Sequence, residues 1–228
     1  MEAKDFNCLH RELQQTADGS HTLFVPEMDE HYHSVNGAIQ ESEYIFIEKG
    51  LRSVNKRDIR ILEIGFGTGL NALLTANDLE NRDDCDHILY YAVEKYPLDE
   101  EIFSLLNYCG KIGISGELFR SLHFSSWNED VPLTRRFTLH KILGDGRDCC
   151  FPEGIDLVYF DAFAPDKQPD MWSPEIFDRL YACMASGGVI VTYCAKGEVR
   201  RRMQCSGFKM ERLPGPPGKR HILRGVKE

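Results

Sequence analysis

The chain has 228 residues, a hydrophobic content of 42%, 28% charged residues and a formal net charge of −9, which excludes a disordered chain and a protein coated in basic surface. No apolar run approaches the roughly 20 residues that cross a bilayer, so no membrane partner is expected. The start, Met1 to Gln15, interleaves charged and apolar residues and lacks the apolar core of a secretion signal, so a cytoplasmic protein is expected.

No Gly/Ser or Pro-rich linker divides the sequence, which predicts a single domain over 1–228, with 1–58 as an amino-terminal extension packed on it. The eight cysteines show no Cys-x-x-Cys spacing and read as core thiols. Adjacent Cys149-Cys150, and His31 with His33, offer too few ligands, and no metal is expected.

In chain order, Asp18-Gly19 leading into Thr22 to Val25 predicts an amino-terminal hairpin over 18–25. After Asn36-Gly37, the positions of Ile39, Tyr44, Ile45, Phe46 and Leu51 predict a helix capped by Ser34 or Asn36. From Ile59 onward, strands at 59–64, 88–93, 137–143, 156–161 and 188–194 alternate with helices near 69–80, 98–108, 174–184 and 196–206. Strands separated by helices pair in parallel, and the apolar runs Leu157 to Phe160 and Val189 to Val191 suit strands covered on both faces. Two last strands, 207–213 and 220–226, are joined by Pro214-Gly215-Pro216-Pro217-Gly218. That connection is too short for a helical crossover and predicts an antiparallel hairpin. The fold class is α/β, a doubly wound, mostly parallel, Rossmann-like sheet with an antiparallel carboxyl-terminal hairpin.

The first of the parallel strands runs into Glu63-Ile64-Gly65-Phe66-Gly67-Thr68-Gly69 and then a helix. In such a sheet ligands sit beyond the carboxyl ends of the strands, where strand order reverses. Gly65, Gly67 and Gly69 allow a sharp turn and a close approach to a ligand. A dinucleotide fingerprint needs glycine at position 70, which is Leu70. The Gly-x-Gly-x-Gly spacing points instead to S-adenosyl-L-methionine, which has no pyrophosphate and whose cationic centres favour the acidic Glu63. The second strand ends on Glu94, placed for the ribose hydroxyls. The third ends in Gly144-Asp145-Gly146, with Asp145 placed for the adenine amino group. Three acids at successive strand ends predict a class I methyltransferase.

The fourth strand ends in Asp161-Ala162-Phe163-Ala164-Pro165-Asp166-Lys167-Gln168-Pro169-Asp170-Met171-Trp172. Two prolines and a tryptophan imply an ordered loop over the site, and a carboxylate with aromatic rings suits a planar acceptor bearing an amine. Residues 196 to 228 carry ten Lys and Arg against three Glu, a basic segment fit for phosphates on an otherwise acidic chain.

These motifs closely resemble the methyltransferase domain of MnmC, the tRNA wobble-uridine modification enzyme. The likeness runs through Asp18-Gly19, Asn36-Gly37 to Phe46, Glu63 to Asn71, Glu94 to Leu98, Gly144-Asp145, Asp161 to Trp172, Val199-Arg200-Arg201, Gly207-Phe208 and Gly218-Lys219-Arg220. It implies N-methylation of 5-aminomethyl-2-thiouridine in tRNA to the 5-methylaminomethyl form. Asp161 would serve the amine, and Asn36 and Lys95 would join Glu63, the three glycines, Glu94 and Asp145 around the cofactor. Phe163 and Trp172 would pack on the base, while Lys167, Arg200, Arg201, Lys219 and Arg220 would meet tRNA. Ala162 stands where the family usually has glycine, which slightly narrows the site. With no second dinucleotide fingerprint, the chain reads as the stand-alone form, and a separate FAD-dependent oxidase would supply the amine. The alternatives are an aminopropyltransferase or a small-molecule amine methyltransferase, neither of which requires the basic segment, and a silent tRNA-binding subunit, which does not require the strand-end acids.

Overall fold

The computed structural model describes residues 9–228, so Cys8 and the first charged residues lie outside it. The amino-terminal turn joins β1 (Glu12–Gln15) to β2 (His21–Val25), and β3 (Glu30–His31) completes a three-stranded antiparallel sheet. Asp18 organises this corner. Its carboxylate accepts bonds from Thr16 and from the Ser20 amide and hydroxyl on one oxygen, and from the Gln40 amide on the other. That last bond ties the turn to α1 (Ala38–Ser42), which continues into a π-helical segment, Glu43–Glu48. Neither Ser34 nor Asn36 caps this helix: Gly37 stands at the cap position with no side-chain bond, and the Ser34 hydroxyl accepts from the Asn36 amide instead.

The main sheet is built from β4 (Asp58–Ile64), β5 (His87–Glu94), β6 (Asp130–Pro132), β7 (Phe137–Leu143), β8 (Ile155–Phe160), β9 (Met184–Thr192), β10 (Lys209–Pro214) and β11 (His221–Val226). Their order across the sheet is β10-β11-β9-β8-β4-β5-β7-β6. The five strands from β9 to β7 are parallel, with helical segments returning the chain after β4, β5 and β8 and an irregular crossover joining β7 to β8; β10, β11 and β6 are antiparallel. Strand order reverses between β4 and β8, which opens the crevice beyond their carboxyl ends. The helices α2 (Leu70–Glu80), α6 (Pro174–Cys183) and α7 (Gly197–Cys205) lie within two residues of the sequence expectation at each end.

The predicted helix at 98–108 is corrected. The chain forms α3 (Glu100–Phe103) and α4 (Tyr108–Ile112) around a break at Asn107, then α5 (Gly116–Phe124). Asn107 accepts from the His21 amide at 2.9 Å and donates to the Gly19 carbonyl at 3.0 Å. A side chain that ties two helices to the amino-terminal hairpin breaks the continuous helix. The core falls on both sides of the sheet: Leu23, Ile45, Phe46, Ile61, Leu73 and Tyr90 belong to one buried cluster, and Leu62, Phe160, Trp172, Phe177, Ile190 and Leu223 to the other. Since the first includes residues of 9–58, the extension shares a core with the sheet.

Candidate active site

A cavity of about 470 Å³ opens beyond the ends of β4, β5, β7 and β8. Its floor is the turn after β4. Gly65 has φ +95°, and a Cβ there would stand 2.9 Å from the Asp161 carbonyl; Gly67 has φ +51°, and a Cβ would press on the Tyr32 ring at 3.1 Å. Only glycine relieves both the dihedral and the contact. Gly69 lies outside the cavity lining, at the start of α2 against His123 and Phe66. Its role is to begin the helix.

Glu94 lines the cavity. One carboxylate oxygen accepts from the Gly67 amide at 2.8 Å and the other from the Tyr96 amide at 2.7 Å. An ionised carboxylate has about four acceptor positions, so Glu94 is fixed in orientation and keeps capacity for a diol. Asp145 differs. One of its oxygens accepts from the Arg147 amide and Nε, the other from Arg147 Nη2 and Lys95 Nζ. Arg147 above all holds its carboxyl well below the usual range. Asp145 lines the cavity at the place expected of it, with both oxygens engaged by Arg147 and Lys95, which line the cavity beside it.

The placement of Glu63 is corrected. This residue is fully buried, lies outside the lining, and burial holds it well above the usual carboxylate range. A fully buried side chain behind the wall does not face the cavity. Its Oε1 accepts from Asn71 Nδ2 at 2.9 Å, and the same nitrogen donates to Asp161 Oδ2 at 2.9 Å. Glu63 thereby positions the asparagine that orients Asp161. Asn36 is exposed and outside the lining, packed against Gly218.

Asp161 lines the same cavity, as do Phe163, Tyr32, Glu41, Tyr193 and Lys219. Burial pushes its pKa up to about 7, against the Asn71 bond and the Lys219 charge, which pull it down, while Glu41 raises it. The rings of Tyr32 and Phe163 meet edge to face at 5.1 Å, and the Tyr32 hydroxyl accepts from Arg11 Nε at 3.1 Å. Trp172 does not reach the cavity. It is fully buried, and its Nε1 donates to the Phe163 carbonyl at 2.7 Å, which fixes the loop from beneath. Its expected contact with the base is corrected to support of Phe163.

Of the basic residues, Lys167 and Lys219 line the cavity, while Arg200, Arg201 and Arg220 do not. Arg202 donates to the Trp172 carbonyl at 2.8 Å and so belongs to the loop support. Sequence reasoning missed Tyr32, Glu41 and Tyr193. Tyr193 was within reach of the rule that found the acids, for it follows the end of β9. Tyr32 and Glu41 arrive from the extension, and no periodicity in the sequence points them at the sheet.

The residues present fit S-adenosyl-L-methionine: a glycine cradle that a Cβ would fill, a carboxylate with spare acceptors beside it, and a cavity within the usual range for cofactor sites. Comparison with known proteins agrees. Residues 121–228 match a family described as S-adenosyl-L-methionine-dependent methyltransferase. The tRNA 5-methylaminomethyl-2-thiouridine biosynthesis bifunctional protein MnmC of Ralstonia nicotianae is 32% identical over 215 residues, covering 88% of this chain and 32% of that protein. The chain thus spans about a third of the length of the curated relatives it matches. The crystal structure of MnmC2 from Aquifex aeolicus superposes with a TM-score of 0.78 at 27% identity, over 97% of this chain and 71% of that one. A spermidine synthase from Thermotoga maritima, at 12% identity and a TM-score of 0.51, shares the fold alone. The chain belongs to the S-adenosyl-L-methionine-dependent methyltransferases and, within them, is a methyltransferase domain of the MnmC type.

Proposed function

We propose that the chain methylates the exocyclic amine of 5-aminomethyl-2-thiouridine at the wobble position of tRNA, giving 5-methylaminomethyl-2-thiouridine. The observation that carries this reading is one cavity lined both by Glu94 with the glycine turn and by Asp161 with Phe163 and Tyr32. The cofactor supplies an electrophilic methyl group on a sulfonium that leaves as a neutral thioether. Glu94 binds the ribose, and the Gly65 to Thr68 turn sets the depth of the donor. Phe163 and Tyr32 hold a planar base. Asp161 orients the amine nitrogen toward the methyl group, because alignment is what an in-line displacement chiefly requires.

A free alkylamine has a pKa of about 10 by analogy to lysine, so it arrives as an ammonium and must shed a proton before its lone pair can react. An Asp161 carboxyl poised at about 7 accepts that proton far more readily than an ordinary aspartate. The nitrogen gains a carbon as the methyl–sulfur bond breaks with its electron pair on sulfur, and it ends as a secondary ammonium; the one proton shed beforehand leaves by way of Asp161. Lys167 at the rim and the exposed arginines of the carboxyl-terminal segment meet tRNA phosphates. A tRNA substrate puts the protein in the cytoplasm, and an FAD-dependent oxidase supplies the amine.

The test is methyl transfer from labelled S-adenosyl-L-methionine into tRNA from cells unable to make the modification, followed by nucleoside analysis. Label in 5-methylaminomethyl-2-thiouridine supports the reading. Label in small amines but not in tRNA overturns it.

A further inference from the structure

We propose that Glu41, Tyr193 and Asp161 form a subsite for a primary alkylammonium group, and that in the free protein the chain's own Lys219 ammonium fills it. Lys219 lies in the connection between β10 and β11, and its Nζ stands 3.2 Å from Glu41 Oε1 and 4.9 Å over the Tyr193 ring. All four residues line the cavity. A carboxylate on one side and an aromatic face on the other is the arrangement that recognises ammonium ions, and its strength grows as water is removed.

The walls of this subsite are fixed. Glu41 Oε2 accepts from the Ser34 amide at 3.0 Å, and the Tyr193 hydroxyl donates to the Ala162 carbonyl at 2.9 Å, beside Asp161. The occupant is not. Glu41 Oε1 is buried and accepts no hydrogen bond from Lys219 despite their closeness, so the ion pair leaves an acceptor to be satisfied by a better-aligned donor. A lysine on a flexible stem, with 28% of its side chain exposed, has a route out to solvent. An incoming primary ammonium therefore exchanges for Lys219. An amine carrying an N-carboxymethyl group would instead bring a carboxylate against Glu41 and Asp161, a like-charge contact that rejects it.

This inference rests on the amine-acceptor reading, but its test requires no methyl transfer. The nucleoside 5-aminomethyl-2-thiouridine, and its uncharged 5-hydroxymethyl counterpart, are titrated by calorimetry into protein saturated with S-adenosylhomocysteine. Lys219→Met is expected to bind the amine at least ten-fold tighter than wild type, with no gain for the hydroxymethyl compound. Adding Glu41→Gln, which retains an acceptor for the Ser34 amide, should abolish the gain. Lys219→Gln serves as a second unplugged variant, and unchanged S-adenosylhomocysteine affinity shows each variant folded. Equal or weaker amine binding in both Lys219 variants, an equal gain for the hydroxymethyl compound, or a gain that survives Glu41→Gln would overturn the proposal. Failure of wild type to methylate tRNA would sink the functional reading and leave this result standing.

Discussion

Asp161 sits in the cavity wall at the start of the loop after β8, only partly exposed, and burial raises its protonation midpoint to about 7. An unfolded chain releases that proton near pH 3.9 or so. Between those values the native state holds a proton that the unfolded state has lost, so stability falls as pH rises through this window. A shift of about three units corresponds to an upper bound of roughly 4 kcal/mol. Asp161→Asn keeps an acceptor for Asn71 and should be more stable than wild type by ~2–4 kcal/mol at pH 8, with the difference vanishing near pH 4. Denaturant unfolding of the cofactor-free protein across pH 4 to 8 measures this, and a variant no more stable at pH 8 than at pH 4 relative to wild type would contradict it. The gain in stability should accompany a loss of methyl transfer. At this scale the sequence revealed positions better than roles. Strand-end reasoning reached Glu94, Asp145 and Asp161, all at the cavity. It could not see that Arg147 and Lys95 occupy Asp145, or that Glu63 points behind the wall, because both depend on which face of the local backbone a side chain takes.

The loop 161–172 acts as an element, held by the buried Trp172 through its bond to the Phe163 carbonyl and by Arg202 through the Trp172 carbonyl. Trp172→Phe retains most of the packing and removes the first bond, leaving a carbonyl unsatisfied at a penalty of about 1–3 kcal/mol. The expected outcome is a lower melting temperature and methyl transfer reduced at least ten-fold, with S-adenosyl-L-methionine affinity within a few-fold of wild type. Turnover equal to wild type would mean that the loop needs no support from beneath. The parallel strands were legible because both of their faces are covered, which writes continuous apolar runs into the chain. β6 was not: it has three residues, one of them Pro132, and sits at the sheet edge. The helix expected at 98–108 failed for a long-range reason, the pull of the amino-terminal hairpin on Asn107.

Over the whole molecule the basic carboxyl-terminal segment divides into two populations. Lys196, Lys209 and Arg224 pair with acids, Arg202 and Lys227 bind backbone carbonyls, and Lys219 sits in the cavity. Arg200, Arg201, Arg212 and Arg220 have no ion pair among the described residues, which leaves their charge for a polyanion. Replacing Arg201 and Arg220 with Gln should weaken tRNA binding and flatten its salt dependence by about one unit for each phosphate that is no longer neutralised. S-adenosyl-L-methionine affinity should stay unchanged. Unaltered tRNA affinity and salt slope in the folded double variant would make this segment a solvated surface only.

The most direct measurement is single-turnover methyl transfer to one tRNA prepared with either 5-aminomethyl-2-thiouridine or 2-thiouridine at its wobble position, using wild type and Asp161→Asn. The expected result is one methyl group on the aminomethyl nitrogen of the first substrate, none on the second, and a rate at least a hundred-fold lower for Asp161→Asn. Methylation of both substrates, or a rate untouched by Asp161→Asn, would contradict the assignment of Asp161 and the aminomethyl group as the reacting pair.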